Sequence, residues 1–148
     1  MTRLVRPAAA ADADAVFTLL GQFATSYVPD RRRFDQHYSV LLAAADADLL
    51  VAAVNAKVVG YTLGFRLPTL HANGVVLTIQ ELIVDPAYRG HGLGRMLVET
   101  LIARGQDAGA VEVTVPTRRA QDFYRHLGFL ETATYLKRPL NADEPTIR

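Results

Sequence analysis

The stretch from Val75 to Val84 constrains this chain more than any other, because its ten residues include just three polar ones, Thr78, Gln80 and Glu81. So nearly continuous an apolar strand is stable only when covered on both faces, which calls for helices on either side of a sheet. Asp85-Pro86 ends the run, and a turn containing Gly90, Gly92 and Gly94 opens directly into a segment with Leu93, Leu97, Val98, Leu101 and Ile102 at helical spacing. The centre of the chain therefore reads as buried strand, glycine-rich turn, helix.

The flanking residues supply the rest of a layered fold. Leu4-Val5 begins a short strand, and Asp12 or Asp14 caps a helix carrying Val16, Leu19, Leu20 and Phe23. After Pro29, a second helix is marked by Phe34, Tyr38, Leu41, Leu42 and Ala45. The period then changes to two, and Leu49 to Val54 and Val58 to Leu63 form a hairpin around Asn55-Ala56. Glycine is preferred where Ala56 stands in such a turn. Pro68 to Gly74 reads as a loop, and Val111, Val113 and Val115 as a strand stopped by Pro116. Ala120, Phe123, Tyr124 and Leu127 mark a last helix capped by Gly128. Phe129 to Leu140 supplies one or two final strands, and residues 141–148 form a polar tail. The expected architecture is an α/β sandwich on a mixed sheet, one domain over residues 1–140.

With 148 residues, half of them apolar, the chain can bury a substantial core. A formal charge of +1 gives no sign of a nucleic-acid or membrane partner. No cysteine is present, which excludes disulfides, thiolate metal sites and a thiol nucleophile. His37, His71, His91 and His126 show no paired metal spacing, so no metal is expected. No leader-like or membrane-spanning apolar run is seen, and a cytoplasmic location is expected. A homodimer is compatible with the sequence, which does not specify oligomeric state.

A glycine turn at a helix start can aim several backbone N–H groups at one point, reinforced by the helix dipole, with no Cβ to obstruct a phosphate. A plain strand-to-helix connection is the alternative reading. The Gly-x-Gly-x-x-Gly of a dinucleotide fold is absent, and no Gly-Lys-Ser or Gly-Lys-Thr makes a P-loop.

Arg89-Gly90-His91-Gly92-Leu93-Gly94, after a strand ending in Val84-Asp85-Pro86, resembles the acetyl-CoA signature Arg/Gln-x-x-Gly-x-Gly/Ala of the GNAT superfamily of N-acetyltransferases. Leu4 to Ala8 followed by Asp12, the hairpin through Gly60-Tyr61, and Ala120-x-x-Phe123-Tyr124-x-x-x-Gly128-Phe129 match other parts of the family pattern in order. The resemblance spans residues 3–140. It implies a three-layer sandwich with a central mixed, mostly antiparallel sheet, and acetyl-CoA as co-substrate. The activity it implies is direct transfer of the acetyl group to an amine acceptor, either a small molecule or a protein or peptide amine. Arg89, Gly90, His91, Gly92, Leu93 and Gly94 would then hold the pyrophosphate, and the backbone of Ile83 and Val84 the pantetheine. Thr117 stands where the family often has asparagine.

Direct attack is consistent with the lack of cysteine. An alkyl ammonium is only roughly one part in 10³ free amine at pH 7, so a base is useful. Glu81 is the candidate, since strand alternation puts it on one face with Ile79 and Ile83, where an ionised group needs a partner. A bulge could instead turn Glu81 to solvent, or an arginine could pair with it; Asp85 is the alternative base. The family's Phe-Tyr helix makes Tyr124 the candidate acid for the departing thiolate, with core packing as the other reading. Arg31-Arg32-Arg33 reads as a solvated surface run, or as a preference for an acidic acceptor. A non-catalytic acyl-CoA-binding or sensor module with the same fold is the competing function.

Overall fold

The computed structural model describes residues 1–23 and 27–141. The elements are β1 (Arg3–Pro7), α1 (Ala13–Phe23), α2 (Arg31–Ala43), β2 (Ala47–Val54), β3 (Lys57–Thr69), β4 (Gly74–Val84), α3 (Leu93–Asp107), β5 (Ala110–Thr114) and α4 (Gln121–His126), with single 3-10 turns at Ala10–Asp12 and Pro86–Tyr88. The five strands form one sheet in the order β1-β2-β3-β4-β5. Neighbours from β1 to β4 run antiparallel; β5 runs parallel to β4 and is reached through α3. A parallel neighbour requires such a crossover, whereas β2, β3 and β4 are joined by tight turns and β1 reaches β2 through α1 and α2.

The sheet is covered on both faces, as the apolar character of β4 requires. One face carries Leu50, Ala52, Val54, Val59, Leu77 and Ile79 against Leu93, Leu97, Val98 and Leu101 of α3 and Tyr124 of α4. The other carries Leu49, Val51, Tyr61, Leu63 and Ile83 against Val16 and Leu19 of α1 and Tyr38 of α2. Alternate residues of β2 supply the two layers, as a pleated strand dictates. In β3 and β4 the alternation breaks at register shifts. Val59 is the extra residue opposite Ala52 and Ala53, and Gln80 the extra residue opposite Leu63 and Gly64. Each is a β-bulge, and each moves the following side chains to the opposite face.

Close approach of α3 depends on small residues beneath it. A Cβ on Gly64 would lie 2.7 Å from Leu101 Cδ2, and one on Gly60 3.0 Å from the Ile83 carbonyl oxygen. At the N-terminal end, Arg6 of β1 grips Asp12 through two hydrogen bonds, Nη1–Oδ2 at 2.7 Å and Nη2–Oδ1 at 2.9 Å. Asp12 Oδ2 also accepts from Ala9 N at 2.8 Å, so the carboxylate ties β1 to the entry of α1. Hydrogen bonding from Arg6 holds the Asp12 carboxyl below its ordinary range. Asp30 caps α2 by accepting from Arg33 N at 3.0 Å.

The hairpin turn forms where expected, and two other expectations need correction. The turn at Asn55-Ala56 forms with φ of 49° and 69°, both in the left-handed region, so Ala56 is accommodated at some backbone strain. The loop expected from Pro68 to Gly74 shrinks to the turn between β3 and β4, because β3 continues to Thr69 and pairs with Gly74. Phe129 to Leu140 forms no strand. Leu130, Leu136 and Leu140 are each 86% exposed, and the Lys137 ammonium sits 4.4 Å from the Tyr27 ring centroid. The segment thus runs past Tyr27 instead of along β5, whose outer edge stays unpaired among the described residues. Apart from Asn141, the expected tail lies outside the described residues. Among these, no helix is long and apolar enough to cross a membrane.

The contact beneath α3 is directly testable. Gly64→Val should destabilise the fold by about 1–3 kcal/mol, the usual cost of overpacking a filled core. Thermal melting should show a drop of several degrees; an unchanged melting temperature would mean that Leu101, fully buried here, can move aside.

Candidate functional site

Beyond Thr78, β4 keeps its partner on one edge, β3, and loses the one on the other, β5. The β4–β5 pairing extends only from Val75↔Ala110 to Thr78↔Thr114, so the remaining edge of β4, Ile79 to Val84, borders open space. A cleft of about 1010 Å³ fills this gap, walled by β4, the turn before α3, the start of α3, residues 115–120 and α4. That volume suits a cofactor-sized ligand.

Backbone donors converge at one end of the cleft. Gly90 and Gly92 have φ of 83° and 78°, a conformation that glycine adopts without steric cost. The first helical bond of α3 is Met96 N to Gly92 O at 3.0 Å. None of the N–H groups from Gly90 to Arg95 donates to a protein acceptor among the described residues. They form a cradle of unpaired donors at a helix N-terminus, where the helix dipole favours an anion. Arg89, Arg95, Arg118 and Arg119 also line the cleft, whose acidic residues are Glu81 and Asp122, and Asp122 is paired with Arg125 at 2.9 Å. The local charge therefore favours an anion although the whole chain is near neutral. Arg89 belongs to the glycine-turn motif, whereas Arg95, Arg118 and Arg119 lie outside it and reach the cleft because α3 and the loop after β5 meet there.

The proposed ligand-contacting residues divide between the cleft and its surroundings. Ile83, Val84, Arg89, Gly90, Gly92, Leu93, Gly94 and Thr117 line it. Gly94 serves packing as well, since a Cβ there would lie 3.2 Å from Phe123 Cζ. Thr117 Oγ1 accepts from Ala120 N at 3.1 Å and so holds the entry to α4. His91 is exposed and does not line the cleft; its carbonyl accepts from the Arg3 guanidinium. Asp85 N donates to Val59 O at 2.8 Å. By antiparallel alternation, Ile83 then directs its backbone groups to Tyr61, while Leu82 and Val84 direct theirs to the open edge.

Glu81 and Tyr124 both line this cleft. The bulge at Gln80 separates Glu81 from Ile79, which packs under α3, and leaves it on the face of Ile83. The face expected from alternation was thus half right. Glu81 is partly buried, and its partner is a residue the sequence reading did not single out: Tyr61 Oη donates to Glu81 Oε1 at 2.7 Å. Asp85 is occupied elsewhere, accepting from Ala87 N at 2.9 Å, and does not line the cleft.

Tyr124 is 5% exposed and packs edge-on against Phe123 and Phe129, with ring centroids 5.0 and 5.3 Å away. Its hydroxyl has no hydrogen-bond partner among the described residues, yet no buried polar side-chain atom there lacks one. The hydroxyl therefore opens to the cleft. Burial pushes the phenol up to about 12, so it remains a protonated donor throughout the physiological range. The Schellman bonds Gly128 N to Arg125 O and Phe129 N to Tyr124 O, at 3.0 and 3.1 Å, end α4 and fix Phe129 against it. Arg31 is bound to Asp14 at 2.6 Å and Asp35 at 2.9 Å, which makes it part of the α1–α2 surface. No group of three or more His, Asp or Glu is placed to hold a metal among the described residues.

The cradle predicts anion binding independently of any reaction. Inorganic pyrophosphate at tenfold its Kd should stabilise the protein by about 1.4 kcal/mol, and raise the melting temperature by a few degrees. Gly92→Asp, which sets a negative side chain in the cradle, should remove this increment; an equal increment in a folded variant would locate the anion elsewhere.

A family model described as the Acetyltransferase (GNAT) family matches residues 13–129. An uncharacterized N-acetyltransferase of Methanocaldococcus jannaschii is 30% identical over 117 residues, covering 71% of this chain and 49% of its own length. An uncharacterized protein of Mycobacterium leprae is 32% identical over 99 residues, 66% of this chain and 25% of its own length. The chain thus spans between a quarter and a half of these curated relatives. The crystal structure of glucosamine-6-phosphate N-acetyltransferase from Arabidopsis thaliana shares the fold with a TM-score of 0.84 at 20% identity, over 95% of this chain and 100% of that one. With the strand–glycine turn–helix unit, the five-stranded mixed sheet and a family match across most of its length, the chain belongs to the acetyltransferase (GNAT) family.

Proposed function

We propose that the protein is an N-acetyltransferase that moves the acetyl group of acetyl-CoA to an amine in a ternary complex. The observation that carries this reading is a single cleft with an anion cradle at the start of α3, an unpaired strand edge along β4, and both a carboxylate and a free phenol in its lining. The cradle and its arginines suit a pyrophosphate. The open edge offers the backbone groups of Leu82 and Val84 to the amides of a pantetheine arm, much as a strand would. A solved relative by fold, AAC(6')-Iy, is a complex with a bisubstrate analog that joins CoA to an acetylneamine, at a TM-score of 0.83 and 17% identity. The M. jannaschii relative is also described as an N-acetyltransferase.

Glu81 takes a proton from the acceptor ammonium, directly or through water, and the freed nitrogen attacks the thioester carbonyl. The nitrogen of the tetrahedral intermediate gives up its second proton to solvent, and the intermediate expels the CoA thiolate, leaving the neutral amide. Tyr124 donates a hydrogen bond to the sulfur as negative charge develops. Its phenol, near 12, lies about 3.5 pH units above a free thiol. Complete proton transfer to the thiolate is therefore uphill, and the hydroxyl acts chiefly as an electrostatic stabiliser, with solvent completing protonation. A non-catalytic acyl-CoA module would need neither group.

Release of CoA thiol, followed with a panel of amines, tests the reading; tight acetyl-CoA binding without turnover on any amine would favour the non-catalytic module. Glu81→Gln should lower kcat about 10²–10⁴-fold with acetyl-CoA binding intact, and the defect should shrink at high pH as free amine accumulates. An unchanged pH–rate profile would assign the proton to solvent. Tyr124→Phe should lower kcat about 10–10²-fold with little change in KM for acetyl-CoA, since the bond strengthens as charge reaches sulfur. Full activity in that variant would make Tyr124 a packing residue alone.

A further inference from the structure

We propose that Tyr61 is a positioning residue that fixes the orientation of Glu81 in the cleft. The inference rests on the reading of Glu81 as the base and adds the group that makes it one. Tyr61 lies on β3, 2% exposed, in the layer formed with Val51, Leu63 and Ile83 under α1. A phenylalanine would fill that space equally well. The hydroxyl is the one part of the side chain that packing does not explain, and burying it is costly unless it is bonded. It donates to Glu81 Oε1 at 2.7 Å. Burial and the neighbouring carboxylate push the phenol well above its ordinary range, so the hydroxyl keeps its proton and always donates.

Glu81 needs such a restraint. It follows the bulge at Gln80, where the regular pleat that would aim a side chain is interrupted. Two adjacent residues of β3 compensate. Thr62 Oγ1 donates to the Glu81 carbonyl at 2.8 Å and fixes its backbone, and Tyr61 fixes its carboxylate. The second oxygen, Oε2, has no protein partner among the described residues and is left for the acceptor's proton. One oxygen is held and one is free, an arrangement suited to a directional base.

A double-mutant cycle in the full-length chain separates positioning from general stability. Tyr61→Phe should lower kcat about 10–10²-fold while the Kd for acetyl-CoA, read by calorimetry, and the melting temperature stay near wild type. In a Glu81→Gln background the same change should cost less than twofold, because the oriented base is already gone. Full kcat in Tyr61→Phe, or an equal loss in both backgrounds, overturns the positioning role while leaving Glu81 as base. Full kcat in Glu81→Gln overturns the assignment of the base and the role of Tyr61 with it. Should Tyr61→Phe fail to fold, 3-fluorotyrosine at 61 keeps the hydroxyl and makes it a stronger donor. A kcat change with that residue that disappears in Glu81→Gln supports the coupling, and no change in either background overturns it.

Discussion

The failure of β4 and β5 to stay paired beyond Thr78 is the constraint on which the site depends. A fully zipped sheet would have no cleft, since the edge groups of Leu82 and Val84 would then be spent on the neighbouring strand. Separation leaves those groups unpaired at the centre of the molecule, which is tolerable where water or a ligand can reach them. The parallel crossover through α3 produces the geometry: its short pairing with β4 at one end leaves the N-terminus of α3 beside the open half of the strand. Strand edge and helix dipole therefore face the same space.

The bulge at Gln80 is the second half of that arrangement. It lets Ile79 pack under α3 while Glu81 and Ile83 face α1, so one strand supplies both cores and still sends a carboxylate into the cleft. The extra residue weakens the local ladder, and β3 restores order through Tyr61 and Thr62. Small residues at Gly60 and Gly64 bring α3 close enough to the sheet for its first turn to border the cleft. Packing in the core thus sets the position of polar groups in the site.

Features with a local cause were legible in the sequence. The apolar run of β4, the glycine turn, the period of α3 and the Gly128 cap depend on neighbours within a few residues, and each forms as expected. Glu81 and Tyr124 were singled out and share one cleft. In the sequence Tyr61 is legible only as part of a hairpin, because the pattern of alternating residues in β3 gives no sign of which side chain it will meet across the sheet. The strands expected from Phe129 to Leu140 failed for a related reason: strand composition shows that a segment can pair, but not that the folded chain will lie along the open edge of β5.

The sequence alone determined that the chain would build a layered α/β fold with a phosphate-sized turn at mid-chain, since apolar period and glycine placement act through the local backbone. Only the tertiary structure decided where the sheet would open, which face Glu81 would take and which residue would hold it. Those outcomes turn on single-residue register shifts. One extra residue reverses every following side chain, and its place is fixed by packing between strands and helices far apart in the chain.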